Sequence, residues 1–277
     1  MRSLAAASSA LRPVLAGPAR RAELLGASRG ALYLKTAGPP GVLAVLSHDA
    51  VRLPCGLLVA TTSAELPLSS LVAPAPGPFA VGDGAVSWTG PAGPVLVRAV
   101  REWAPARPAR GEVAATALAA VRAVVGDAGL GDPDLGPRPL ADLAAAASDR
   151  DASVAAAARL LGSGPGLTPA GDDVLAGYLA GAAAFGLDAG ALRHAIAVLA
   201  PAATSALSAT LLWHAARGEC IDELAAVAAV LTSQPGAGRG AAAVRRLMSV
   251  GHTSGAAMAR GLVIAAEATL ANGRRAA

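Results

Sequence analysis

The stretch "GSGPGLTPAGDDVLAGYLAG", Gly162 to Gly181, gathers the residue types that could hold an anion. Gly162, Gly164 and Gly166 free the backbone to take positive φ and to turn successive N–H groups to one side. Thr168 and Pro169 then read as a helix start, with the hydroxyl capping free amides and the proline in the first turn, where its missing N–H costs nothing. A glycine-rich loop entering a helix N-terminus suits phosphate or carboxylate. It is not a Walker loop, because no lysine follows the glycines. Gly171 leads into adjacent carboxylates, Asp172 and Asp173. Beside an anion this pair is repulsive unless Mg2+ or Mn2+ bridges it, or unless the acids accept protons or amide hydrogens from the ligand. The simpler role is to complement the helix dipole, which explains the acids but not the glycines. Gly177 and Gly181 continue the face of Asp173, and close approach of a neighbouring helix is the expected reason.

A second stretch, "VGHTSGAAMARG", repeats this grammar: Gly251, His252, Thr253, Ser254 and Gly255 precede another helix. Thr253 or Ser254 can cap that helix, and His252 stands at its mouth. Two such loops could turn their amides toward one small ligand, with Asp172 and Asp173 at its edge. A third stretch, "TSALSATLLWHAARGE", puts Thr204 and Ser208 on one helical face, where they either line the pocket or bond back to their own helix's carbonyls. His194 and His214 show no partner spacing and read as surface or core residues. H-E-x-x-H does not occur, which removes one common hydrolase scheme.

The elements that must position these residues fall into two patterns. The chain has 277 residues, 54% hydrophobic and 15% charged, enough apolar content for a folded protein of one or two domains. From about 30 to 103, the segments "ALYLKT", "VLAVLS", "LLVATT", "AVSWTG" and "PVLVRAV" are separated by turn formers and predict antiparallel strands. "APARPARGE" then marks a linker, and the hydrophobic period lengthens to that of helices. Helices are expected over 112–125, 139–147, 150–161, 168–185, 189–200, 202–217, 221–233, 241–249 and 254–271, with Gly126, Gly186, Gly218 and Gly251 as left-handed stops. The expectation is an α+β chain: an N-terminal extension (1–29), a small antiparallel β domain (30–103), a linker (104–111) and a larger irregular all-α domain (112–277). The longest apolar or small run, Val174 to Leu187, is too short to cross a bilayer. The charge of +4 lies mostly near the termini without interleaved aromatics, which argues against nucleic acid. Cys55 and Cys220 stand alone, so a reducing cytoplasm is the expected setting. The arginine- and serine-bearing N-terminus has the superficial look of a transit peptide, but the same bias runs through the chain.

The order and spacing of the three quoted stretches resemble a bacterial family that includes AllH, a subunit of the oxamate carbamoyltransferase of allantoin degradation. The resemblance covers most of residues 20 to 271, most clearly in the helical half. It implies a subunit that works with companion carbamoyltransferase subunits to interconvert oxalurate and phosphate with oxamate and carbamoyl phosphate. The family's glycine-rich and acidic positions fall on Gly164, Gly166, Thr168, Gly171, Asp172 and Asp173, and its second loop on Gly251, Thr253, Ser254 and Gly255. Where relatives tend to carry an aspartate shortly after that loop, this chain has Ala257. Carbamoyl transfer needs phosphate and a small carboxylate held together while charge builds on the carbamoyl oxygen, and preorganised amides meet that need. No nucleophile is evident, so the aspartates are expected to bind metal or orient substrate. Two other readings stay open: a non-catalytic assembly subunit, and a stand-alone metal-assisted phosphoryl-transfer or hydrolytic enzyme.

Overall fold

The computed structural model describes residues 1–127, 135, 137–147, 149–233 and 237–276, which form two compact units, Met1–Pro105 and Ala106–Ala277. The first unit is built on strands β1 (Arg2–Ser8), β2 (Arg20–Ala27), β3 (Ala31–Lys35), β4 (Val42–Leu46), β5 (Gly56–Val59), β6 (Phe79–Gly82), β7 (Ala85–Gly90) and β8 (Gly93–Trp103), with a short helix α1 (Arg12–Leu15) after β1. They close into a barrel in the order β1-β5-β4-β3-β2-β6-β7-β8. This overturns the expected small antiparallel domain. The pairings β4–β5 and β8–β1 are parallel, and residues 1–29, read as an extension, supply β1 and β2. The physical reason lies in β1, "RSLAAAS", whose alanines have little strand preference. It is a strand because β5 and β8 offer it unpaired edges on both sides, which closure removes. By contrast β4, "VLAVL", is apolar throughout and buried at every position, the pattern of a strand with a parallel neighbour. Phe79 and Trp88 stack in the core with ring centroids 5.2 Å apart, and the indole N–H of Trp88 donates to the Leu71 carbonyl at 2.7 Å.

The second unit contains α2 (Ala115–Asp127), α3 (Pro137–Ala145), α4 (Arg150–Leu160), α5 (Ala170–Phe185), α6 (Gly190–Ala203), α7 (Ala206–Ala215), α8 (Asp222–Ser233), α9 (Ala237–Met248) and α10 (Ser254–Ala276). The expected helices are found with their ends moved by a few residues. Gly186, Gly218 and Gly251 have φ of +70°, +75° and +60°, as left-handed stops require, whereas Gly126 lies inside α2. Pro201 does not end α6. It sits in the last turn, and the break comes at Thr204, whose backbone is extended.

Helix α5 is the centre of this unit. Nearly all its residues are buried, including Gly171, Asp172 and Asp173 at its start and Phe185 at its end. Its main neighbour is α10, and glycines let the two backbones touch. A β-carbon on Gly177 would lie 2.0 Å from the Met258 carbonyl oxygen, and one on Gly261 would lie 1.9 Å from that of Val174. These contacts place the start of α10 beside the start of α5.

Candidate functional site

The two aspartates of α5 have different surroundings although they are adjacent. Asp172 is 1% exposed, and both its oxygens are engaged. Oδ1 accepts the Gly162 N–H at 2.9 Å, while Oδ2 accepts the Ser208 hydroxyl at 2.7 Å and the Thr204 hydroxyl. Asp172 therefore fastens the glycine loop, the α6–α7 junction and α7 to the start of α5. The Thr204 and Ser208 hydroxyls donate to Asp172 rather than to the carbonyls of their own helices. They serve Asp172.

The loop itself is held from several directions. Gly171 donates its N–H to the Ser163 carbonyl at 2.9 Å, and the Ser205 hydroxyl donates to the Leu167 carbonyl at 2.5 Å. Ser205 also caps α7, accepting the Ser208 N–H at 3.0 Å. Gly164 and Gly166 have φ of +114° and +92°, the left-handed region that side chains disfavour. A β-carbon on Gly164 would also press within 2.9 Å of the Ala170 nitrogen. Residues 164–167 are exposed, and among the described residues the amides of Gly164, Gly166, Leu167 and Thr168 have no backbone partner. Gly171 has a packing role, since a β-carbon there would lie 2.1 Å from the Leu160 carbonyl oxygen.

Thr168 does not cap α5 as expected. The helix begins at Ala170 with Pro169 at the capping position and no side-chain cap, so the threonine is one residue too early. Its hydroxyl lies instead 3.3 Å from that of Ser254, the first residue of α10. The Ser254 side chain also hydrogen-bonds Asp173. Thr168, Asp173 and Ser254 thus bring the two glycine-bearing loops together.

Asp173 is 6% exposed, and its Oδ2 has no hydrogen-bond partner among the described residues. Burial pushes its carboxyl up to about 7; the hydrogen bond from Ser254 opposes this shift, and the charge of Asp172 adds to it. In the second loop, Gly251 makes the turn, and the Gly255 N–H donates to the Val250 carbonyl at 3.0 Å. Gly255 also serves packing, because a β-carbon there would lie 1.8 Å from the Leu247 carbonyl oxygen. Thr253 accepts the Ala257 N–H at its carbonyl, His252 is exposed, and Ala257 is fully buried. No hydrogen bond among the described residues joins His252 to either aspartate.

Sequence reasoning missed Ser205, although a serine three residues before Ser208 at a helix start has the spacing of a cap. It also missed a buried cluster around His214. This histidine is fully buried, with Nδ1 2.7 Å from Glu219 Oε2; Arg107 holds the other carboxylate oxygen at 2.7 Å. The usable signal was Gly218, whose positive φ folds Glu219 back onto the end of α7.

Residues 160–266 match the family model described as oxamate carbamoyltransferase subunit AllH. Through this stretch, less than half of its length, the chain is similar to the AllH family. The match takes in both loops, α5 to α9, most of α10, Thr204 and Ser208, and leaves out the barrel. No curated protein and no solved structure matches the chain. Among the described residues no helix is long and apolar enough to cross a membrane.

Proposed function

We propose that this chain is a subunit of an oxamate carbamoyltransferase-like complex, and that a small anionic substrate binds between the loops that open α5 and α10. In this reading companion subunits complete the enzyme, which interconverts oxalurate and phosphate with oxamate and carbamoyl phosphate. The observation that carries it is the meeting of Thr168 and Ser254 at 3.3 Å, with Asp173 bonded to the same serine. Open amides from both loops then face one anion and stabilise charge on the carbamoyl oxygen as the bond to phosphate forms.

Within this site Asp172 is the anchor and Asp173 the acid that meets the substrate. The Mg2+ or Mn2+ expected of the pair does not fit Asp172, whose two oxygens already accept three donors, so no step is routed through a metal. Free, buried Cys55 and Cys220 suit a reducing cytoplasm.

The test is to mix the full chain with its companion subunits, oxalurate and phosphate, and to measure carbamoyl phosphate. Gly166→Val, a change with open space around it but a backbone at φ +92°, should lower kcat/KM at least about tenfold by distorting the amide cradle. Absence of product from the wild-type complex contradicts the assignment.

A further inference from the structure

Among the described residues, no cation acts on the buried Asp173. From α10 it meets the Ser254 hydroxyl, and on its own helix it meets the carboxylate of Asp172. The charged groups of the other elements around α5 are directed elsewhere or do not act on it. Arg159 of α4 bonds Asp142, and His214 of α7 bonds Glu219. Asp222 and Glu223 open α8, and Glu267 of α10 pairs with Arg122. Arg260 and His252 are not among the groups that act on Asp173. Above about pH 7, an anion entering between the two loops would therefore meet an ionised carboxylate with a second carboxylate next to it and, among the described residues, no compensating charge.

We infer that Asp173 takes up a proton when the anion binds and lends its O–H to the ligand, so that a small carboxylate such as oxamate enters with about one proton at alkaline pH. The inference rests on the anion site proposed above. It gives the unpartnered, buried Oδ2 a hydrogen bond and turns a repulsion into a charge-assisted contact. The same proton closes the balance of carbamoyl transfer. A phosphate oxygen attacks the carbamoyl carbon of oxalurate, the new C–O bond forms, and the C–N bond to oxamate breaks. The leaving nitrogen needs one proton, and hydrogenphosphate brings one. Asp173 gives its proton to the nitrogen and recovers the one released by the phosphate.

Isothermal titration of oxamate into the full chain from pH 6 to 8.5, in buffers of different ionisation heat, tests this directly. Oxamate does not titrate in this range. The affinity is expected to fall about tenfold per unit above pH 7, with proton uptake rising toward one, because Asp173 titrates near 7. Asp173→Asn should abolish both the break and the uptake. Ser254→Ala, which removes a hydrogen bond to the ionised form, should move the break to higher pH; it keeps the test open if the first variant fails to fold. Binding with no proton uptake, or a break that persists in Asp173→Asn, overturns the inference and leaves the anion site standing. No binding at any pH overturns both.

Discussion

At the scale of single residues, Asp172 and Asp173 show how neighbours acquire opposite roles. Asp172 satisfies three donors, one of them a backbone amide ten residues away and two of them hydroxyls 32 and 36 residues away. Asp172→Asn puts an amide N–H₂ where a donor must be met and should destabilise the chain by about 2–4 kcal/mol, seen as a lower urea midpoint at unchanged slope. Asp173 behaves differently. Its folded carboxyl is raised from 3.8 to about 7, so between these values the native state holds a proton that the unfolded chain has lost. Stability from this group is therefore present in acid, falls as pH rises from about 4 to 7, and is flat above. Asp173→Asn removes that slope: unfolding at pH 8 should show the variant more stable by roughly 2–4 kcal/mol, with no difference near pH 4. A variant equally stable at both would mean that Asp173 is not desolvated. The motif "GDD" was legible as a pair of acids at a constrained helix start, but the division of labour was not. It depends on which hydroxyls of α6, α7 and α10 arrive, and short-range sequence contains no record of that.

At the scale of elements, the two loops face each other because α5 and α10 pack backbone to backbone. Gly177 and Gly181 had already suggested such a contact in the sequence. The partner, Gly261 with its approach to the Val174 carbonyl, lies 84 positions beyond Gly177 and could not be paired with it by spacing. Gly261→Ala puts a methyl 1.9 Å from that oxygen, and the helices must separate. The expected cost is about 3 kcal/mol or more, read as a drop in thermal midpoint, together with loss of oxamate binding as Thr168 and Ser254 draw apart. Retained binding with a lowered midpoint would show that the loops do not depend on this contact. The helices were readable because alanine and leucine at a 3.6-residue period agree with their burial. Thr168 was misread as a cap because Pro169 moved the helix start, a shift of one residue that redirects a hydroxyl from its own helix to another.

At the scale of the whole molecule, the sequence revealed a β-rich first part and a helical second part, but not the closure of the first. β3, β4, β5, β7 and β8 carry the valines and leucines that mark strands. β1, β2 and the four-residue β6 lack that signature, and they are the strands whose pairings complete the ring. Parallel neighbours such as β1 and β8 lie about as far apart in the unit as two strands can, so only the tertiary fold specifies them. The similarity to the AllH family model covers residues 160–266 of the helical unit, and the chemistry proposed for this chain is contained in that unit.

The central claim is that the two loops share one ligand. It is tested most directly by following backbone amide resonances of the full chain while oxamate or phosphate is added. The account predicts that the amides of Gly164, Gly166 and Thr168 shift together with those of Gly251, Thr253 and Ser254, along one binding curve with one Kd. Shifts confined to a single loop, two unrelated Kd values, or a response located elsewhere in the molecule would contradict it.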